Sequence, residues 1–295
     1  MQKVLLLVTI LGVAGLDLLG QTKSHFTVKD DDSCENIYFA LKSATATCNI
    51  RTRNGEYPIN ILGTADLKYV DPEFGQNHSG KTLNAWLNLN DNGNENFGSI
   101  LSKIFGPKKT DNKNYWNIYF TDYKPYHLDL TYGLGKSYVD LSDIAVQHLS
   151  ITSGNAHVKV GYHSKVRNRI EMDSFLVNVD LGDVEIDRLN LSRARVIMAE
   201  VGIGSLVLDF EEEPESGSEI WARVGAGTLS VKLPQYPIPM MVRVKNASYR
   251  KMKMPEHFEK IRENVYVSSA YDPNAVNLLT FNIDLSMGNV VFSED

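Results

Sequence analysis

The chain has 295 residues and a formal net charge of −6, with 22% charged and 43% hydrophobic residues. This length is sufficient for one large domain or two smaller ones with a buried core. The mildly acidic balance argues against nucleic-acid binding, and beyond the N-terminus no apolar run is long enough to span a bilayer.

The N-terminus has the pattern of an export signal. Lys3 precedes an apolar run from Val4 to Val13, and a small residue, Gly20, precedes a polar segment. Because the run is short for a membrane span, we predict a secretory signal peptide over residues 1–20. An uncleaved N-terminal anchor is the alternative. The mature chain is expected in the periplasm, on the cell surface or outside the cell.

The chain contains two cysteines, Cys34 and Cys48. In an exported protein they are candidates for a disulfide. Cys48 lies at an inward position of an alternating segment, so two separate buried thiols are the alternative.

Alternating hydrophobic residues predict β-strands that change direction at a glycine. In Phe175–Leu191 the apolar residues fall on every second position, slip by one across Gly182, and resume at Val184. A strand has a side-chain period of two, so the slip predicts a corner at which both arms face one core. A left-handed conformation of the glycine would suit such a corner.

The same unit recurs along the chain. An early copy alternates, slips and resumes at Ile37, Phe39, Leu41, then Ala44, Ala46, Cys48 and Ile50. From Tyr126 the slip recurs next to Gly135, Gly154, Gly182, Gly204, Gly227 and Gly288. The first five copies are 19 to 28 residues apart. A repeat of short strands at this spacing predicts an all-β single-stranded solenoid. An antiparallel β-sandwich, with each glycine in a hairpin turn, is the alternative.

Two segments interrupt the repeat. Between Glu56 and Thr121 polar pieces separate two predicted strands, Thr82–Leu89 and Tyr115–Thr121, and Gly98–Phe105 is read as one or two helical turns. Between Leu233 and Phe281 three prolines indicate an excursion from the stack or a sheet edge. In that excursion Glu256–Glu263 is predicted as a short helix.

The repeated units and the closing segment VYVSSAYDPNAVNLLTFNIDLSMGNVVF resemble the toast-rack domain of bacterial envelope proteins. That domain is found at the C-terminal end of LiaF-like cell-wall-stress proteins and in related proteins assigned as adhesins. The resemblance covers roughly Tyr126 to the C-terminus and implies an all-β, right-handed β-helix-like stack. It predicts residues 122–295 as the toast-rack solenoid domain and residues 21–121 as a loosely matching β region. It carries no activity, because its motifs are structural.

Three groups of residues are candidates for a catalytic or metal-binding site. The carboxylates Asp180, Asp183, Glu185 and Asp187 beside Arg188 suit either a glycosidase site or a solvated face. His127, His148 and His157 occupy outward positions of neighbouring coils, but they lack the close spacing of a metal motif. Asn88, Asn90, Asn92 and Gly93 suggest a calcium loop, but its first position is not Asp and its twelfth is Ser99 instead of Glu. Asn90–Asn96 is therefore predicted to be a flexible polar loop.

Two charged excursions are the candidate binding sites. The acidic one comprises Glu211, Glu212 and Glu213, and the basic one comprises Arg243, Lys245, Arg250 and Lys251. Further contacts are predicted at the outward residues Tyr138, Arg167 and Arg169. No cofactor or metal is predicted.

The sequence thus predicts a non-catalytic exported envelope or cell-surface protein with a scaffold or adhesin-like binding role. Its partner would be another envelope protein or a cell-wall polysaccharide. A carbohydrate-active enzyme on a β-helix and an accessory to envelope-stress signalling are the alternatives.

Overall fold

The computed structural model describes residues 22–67, 70–91, 114–245 and 252–294. These form strands and loops, with one 3-10 turn at Leu189–Ser192 and no α-helix among them. Within those ranges there is no helix with the length and hydrophobicity needed to traverse a bilayer. The predicted signal peptide, the Gly98–Phe105 helical turns and the loop beyond Asp91 lie outside the described residues.

The alternating segments form twenty strands, all linked in one sheet system. The strands are β1 Thr22–Val28, β2 Asn36–Thr52, β3 Ile59–Ala65, β4 Val70–Ser79, β5 Thr82–Asp91, β6 Tyr115–Phe120, β7 Tyr126–Asp140, β8 Val146–Gly161, β9 Met172–Val179, β10 Asp183–Asp187, β11 Ala194–Val201, β12 Ser205–Asp209, β13 Ser218–Val224, β14 Thr228–Leu233, β15 Met240–Lys245, β16 Met252–Lys253, β17 Phe258–Arg262, β18 Val265–Ser268, β19 Leu279–Leu285 and β20 Asn289–Glu294.

Each coil contributes one arm to each of two rows of parallel strands. The first row runs β5, β2, β7, β8, β9, β11, β13, β19, β15, and the second runs β6, β2, β7, β8, β10, β12, β14, β20, β16. The long strands β2, β7 and β8 bend and belong to both rows. This arrangement confirms the predicted β-solenoid and excludes the antiparallel sandwich for the described chain.

Antiparallel strands extend both rows at their ends. At the N-terminal end β4 pairs with β5, and β3 and β1 extend the second row from β6. The rings of Phe26 in β1 and Phe74 in β4 stack with their centroids 5.0 Å apart, which closes this end of the core. At the other end β18 and β17 extend the first row from β15. The predicted helix at Glu256–Glu263 is therefore wrong, because this segment supplies strand β17 to the edge of a sheet.

The interior between the two rows is almost entirely apolar. Inward side chains such as Phe39, Leu128, Phe175 and Phe281 belong to one continuous cluster of buried residues. This cluster and the β2–β7 pairing extend across the predicted boundary between residues 121 and 122. The division into two regions stays a prediction.

The corner glycines serve a different purpose from the one predicted. Among the described glycines only Gly80 and Gly135 have positive φ. At Gly204 an added Cβ would lie 2.0 Å from the Gly182 carbonyl oxygen, and at Gly227 it would lie 2.3 Å from that of Gly204. Glycine is needed because the neighbouring coil passes too close for any side chain.

The apolar residues just before the corner glycines face solvent instead of the core. Leu181, Ile203 and Met287 are 44%, 66% and 72% exposed. The inward row reaches the corner at Val179 and resumes at Val184, both of which are buried. Leu181 and Met287, which the alternation of the sequence would place in the inward row, therefore do not belong to it, because the backbone turns outward before the glycine.

The last coil in the sequence is not the last coil in space. Strand β19 lies between β13 and β15, and β20 lies between β14 and β16. The proline-containing segment therefore passes beyond this coil and covers it, and its strands β15 and β16 continue the two rows instead of leaving the stack. Residues Phe281 to Phe292 do not form a terminal rung.

Candidate binding groove on the first row

The outward face of the first row carries three apolar side chains in register. Leu176 in β9 is directly beside Met198 in β11, which is beside Trp221 in β13. Strand alternation explains their direction, because their neighbours Val177, Ala199 and Ala222 point into the core. Met198 is 47% and Trp221 49% exposed. We call these three residues the apolar row.

Polar residues continue the apolar row on both sides. Ser150 of β8 pairs with Leu176, and on the other side Trp221 pairs with Asn282, which pairs with Arg243. All six residues line one open groove of about 1010 Å³. Parallel strands are about 4.8 Å apart, so the line from Ser150 to Arg243 is about 24 Å long. The groove therefore runs across the strands.

A second line of residues, two positions further along each strand, alternates in charge. Its members are Asn178, Glu200, Arg223, Asp284 and Lys245, all in register. We call it the charged row. A guanidinium nitrogen of Arg223 is 3.5 Å from a carboxylate oxygen of Glu200. Both side chains are more than half exposed, so this pair contributes little stability and is free to rearrange around a ligand.

The turn between β17 and β18 closes one end of the groove. Glu263, Asn264 and Val265 line the groove there. Asn264 adopts a left-handed conformation with φ 58°, and its carbonyl accepts a hydrogen bond from the Val244 amide at 2.9 Å. Asparagine tolerates this conformation better than most residues, so the sequence itself favours the turn. The turn is thereby fixed to the floor strand.

A family comparison identifies the architecture. The family model for the N-terminal domain of toast_rack, DUF2154, matches residues 20–186. The match covers more than half of the chain. The chain belongs to the toast_rack family. The matched segment includes the region 21–121, which the sequence resemblance covered only loosely.

Solved structures with a similar chain path exist. One is a putative cell adhesion protein from Clostridium sporogenes, at 16% identity and a TM-score of 0.45, covering 93% of this chain and 100% of that one. Another is a putative adhesin from Bacteroides fragilis, at 9% identity and a TM-score of 0.41, covering 92% and 97%. A third is a putative lipid binding protein from Parabacteroides distasonis, at 10% identity and a TM-score of 0.38, covering 93% and 97%. No match was found among curated proteins.

The basic excursion of this toast_rack chain contributes to the groove. Arg243 and Lys245 line it, and a guanidinium nitrogen of Arg243 donates to the Asn282 side-chain oxygen at 3.4 Å. Arg250 and Lys251 lie outside the described residues. The structure therefore brings the described half of this predicted site together with the apolar row.

The acidic excursion is engaged by the protein's own side chains. Glu211 forms ion pairs with Arg188 and with Lys165, the latter at 3.4 Å. Glu213 accepts a hydrogen bond from the Asn277 amide at 2.6 Å. Glu212 is exposed. Two of the three predicted carboxylates thus already have partners, which weakens the case for a binding site here.

The carboxylates near the Gly182 corner are engaged by neighbouring side chains of the protein. Glu185 and Asp187 lie 3.3 and 2.9 Å from the ammonium group of Lys159, and the hydrogen bond to Asp187 raises the pKa of Lys159. Asp183 accepts a hydrogen bond from Ser205 at 2.8 Å. These contacts account for the acids as members of a solvated polar face.

The three histidines do not converge. His127 and His148 are in register on the first row with ring centroids 6.2 Å apart, whereas His157 lies on the second row beside Asp183. Burial, with a smaller effect of His127, lowers the pKa of His148. The described part of the chain contains no group of three His, Cys, Asp or Glu side chains that could hold a metal ion.

The cysteines are both buried, and the structure holds them as free thiols. Burial raises the pKa of the Cys48 thiol to about 12, so its reactive thiolate is scarce in the folded chain. The predicted pairing is tested by counting thiols in the unfolded, exported chain. If the cysteines form a disulfide, neither reacts with a thiol reagent, whereas two separate thiols both react.

Sequence reasoning missed Met198 and Trp221. Each is a large apolar residue between two inward ones, Ile197 and Ala199 in one strand and Ile220 and Ala222 in the other. The sequence signal for the groove was therefore a large apolar residue at a strand position where the alternation predicts an outward, polar side chain. Recognising it required comparing the same position of consecutive coils.

Proposed function

We propose that this chain is a non-catalytic, exported binding or scaffold protein of the cell envelope or cell surface, and that it binds its partner in the groove on the first row. The observation that carries the proposal is the apolar row. An outward solenoid face is normally polar, and single exposed apolar residues need no explanation. Two exposed residues, Met198 and Trp221, in register with half-buried Leu176 along an open groove indicate a binding surface.

The distribution of charged groups favours binding over catalysis. A glycosidase needs two carboxyl groups at a defined separation, with one of them raised in pKa. The acids near the Gly182 corner interact with Lys159 and Ser205, and they lie on the second row, away from the groove. The carboxylates that the sequence suggested for a glycosidase site therefore do not line the groove.

The test uses the purified mature chain with insoluble peptidoglycan and a panel of acidic and neutral glycans. Both retention on the polymer and released reducing ends are measured. We expect retention without release, and weaker retention for Trp221→Ala. Ile203→Ala is the matched control, since Ile203 is 66% exposed at a corner outside the groove.

Two results would contradict the proposal. Equal retention of Trp221→Ala, Ile203→Ala and the unchanged chain would remove the groove from the binding site. Released reducing ends that disappear in Asp183→Ala would replace the binding role with an enzymatic one, because losing one catalytic acid costs orders of magnitude in rate.

A further inference from the structure

We infer that the groove takes a segment of an uncharged glycan chain, lying across the strands with a sugar ring against Trp221. This inference rests on the proposed function and names the ligand class for the same groove. Four features of the described residues carry it.

The first feature is shape. At about 1010 Å³ the groove is at the upper limit for small-molecule pockets, and its floor extends from β8 to β15. It is a long open surface instead of a closed cavity. Such a shape fits an extended polymer segment better than a compact metabolite, because a compact ligand would leave most of the floor exposed to water.

The second feature is the charge balance. Among the residues that the structure describes, the charged side chains lining the groove are three acids and three bases, Glu200, Glu263, Asp284, Arg223, Arg243 and Lys245. Their charges cancel, so the groove offers no net attraction for an anionic or a cationic polymer. A neutral ligand with many hydroxyl groups can accept and donate hydrogen bonds to the same side chains without upsetting this balance.

The third feature is the pairing of the floor strands. β9, β11, β13 and β19 each have a parallel neighbour on both sides. No backbone edge is therefore available for an added peptide strand, which is the usual source of affinity for an extended peptide. A bound peptide would have to leave its backbone amides to water.

The fourth feature is the combination of an indole with amides and hydroxyls. Trp221 lies directly beside Asn282, and Asn178, Ser150 and Thr152 also line the groove. A neutral sugar ring has an apolar C–H face and a rim of hydroxyl groups, so it matches an aromatic surface bordered by hydrogen-bonding side chains. An acyl chain would match the apolar row but could make no hydrogen bonds to the charged row next to it.

The experiment is a titration of the full mature chain with soluble, defined oligosaccharides. The probes are neutral cello- and chito-oligosaccharides of four sugar units, an acidic galacturonate oligomer of equal length, and lauric acid. Binding is measured by calorimetry and by tryptophan fluorescence. The chain contains three tryptophans, of which Trp116 is buried and Trp86 lies in β5, outside the groove. A fluorescence change that persists in Trp86→Phe therefore reports on Trp221.

We expect a neutral oligosaccharide to bind, and Trp221→Ala to weaken it about tenfold or more, as for truncation of an aromatic anchor. Trp221→Phe should retain most of the affinity, since an aromatic surface remains. Ile203→Ala should bind like the unchanged chain. The melting temperatures of Ile203→Ala and Trp221→Ala show whether both variants keep the fold.

The outcomes separate this inference from the proposed function. Wall retention that needs Trp221, with no binding of any neutral oligosaccharide, overturns the ligand class and leaves the binding role intact. Preferential binding of the acidic oligomer or of lauric acid overturns it in favour of that class. A concentration-dependent dimer that Trp221→Ala abolishes would assign the groove to a second copy of the chain. If Trp221→Ala changes neither wall retention nor oligosaccharide binding, both proposals are overturned.

Discussion

The two halves of the solenoid make the same corner in different ways. In the N-terminal half a single strand bends through it, and β2, β7 and β8 are 17, 15 and 16 residues long. In the C-terminal half each coil breaks into two short strands, as in β9 and β10 or β11 and β12.

The interiors of the corners differ accordingly. Inside the N-terminal bends lie buried Ser43, Ser137 and Ser153, and the hydroxyl of Ser137 donates to the Cys48 carbonyl at 2.9 Å. Inside the C-terminal corners the flanking residues are apolar, such as Val179 and Val184. There the backbone itself bonds to the neighbouring coil, as in Gly202 N to Val179 O at 2.7 Å. The bent strands thus add buried hydroxyls to glycines that approach the next coil closely, such as Gly135, where an added Cβ would lie 2.4 Å from the Ala46 carbonyl oxygen.

The largest expected effect comes from removing the last coil. A chain that ends at Tyr271 lacks β19 and β20, which lie between β13 and β14 on one side and β15 and β16 on the other. Apolar surface on both sides becomes exposed, so we expect loss of the cooperative melt and aggregation. Circular dichroism melting and size-exclusion chromatography measure this.

The matched truncation is at the other end of the molecule. Deleting β1 removes an edge strand that pairs only with β3. We expect a folded monomer with a lower melting temperature, because only the end of the core that Phe26 covers and the edge of β3 are uncovered. If the chain ending at Tyr271 melts as cooperatively as the one lacking β1, the last coil is not an interior rung.

This placement could not be predicted from the sequence. The alternation of Phe281, Ile283 and Leu285 shows that they face a core, and this was confirmed. Which neighbours cover them depends on where the excursion from Leu233 returns, and no local pattern encodes that. The corner positions were correctly predicted from the slips, whereas the outward direction of Leu181 depends on the path of the backbone around the turn.

The groove illustrates the same limit. Arg243 and Lys245 were found as a charged excursion, but their approach to Trp221 arises because β19 is inserted between β13 and β15. Trp221 and Arg243 are therefore neighbours only through a strand that comes after both in the sequence. Periodicity reveals which face a residue occupies, and long-range pairing decides what it meets there.

The second expected effect compares a corner where two coils approach each other closely with one where they lie further apart. In Gly204→Ala the new Cβ would lie 2.0 Å from the Gly182 carbonyl oxygen, whereas in Gly154→Ala it would lie 3.2 Å from that of Gly133. We expect a loss of about 3 kcal/mol for the first and less than about 1 kcal/mol for the second. Urea unfolding measures both free energies.

Asp183→Ser is the control for the corner itself. Asp183 is exposed, and its carboxylate accepts one hydrogen bond, from Ser205. We therefore expect Asp183→Ser to lower the free energy of unfolding by about 0.5 kcal/mol. Equal losses for Gly204→Ala, Gly154→Ala and Asp183→Ser would show that close approach of the coils is not what requires glycine.

The third prediction concerns the hydroxyls of the bent strands. Ser137→Ala removes the donor to the Cys48 carbonyl without leaving a hydroxyl behind, so we expect a loss of about 1 kcal/mol. Ser230→Ala, at a half-buried position of β14 in the C-terminal half, is the comparison. A cost for Ser230→Ala as large as that for Ser137→Ala would mean that hydroxyls are not a special requirement of the bends.

The smallest expected effect lies on the outer face of the bent half, where His148 faces His127, Asp129, Asp173, Gln147 and Ser174. Burial first, and then the proximity of His127, lowers the pKa of His148, while the two aspartates oppose the shift. Because the folded pKa lies below the unfolded value of about 6.5, the fold favours the neutral ring. The contribution of His148 to the free energy of unfolding is therefore complete above about pH 6.5 and is lost as the pH falls through that value towards the folded pKa.

We expect the decrease in melting temperature between about pH 7.5 and 5.5 to be about 1 °C smaller in His148→Gln than in the unchanged chain. His157→Gln is the matched control, since His157 is exposed on the second row. An identical decrease in all three proteins would mean that His148 does not contribute to the acid sensitivity of the fold.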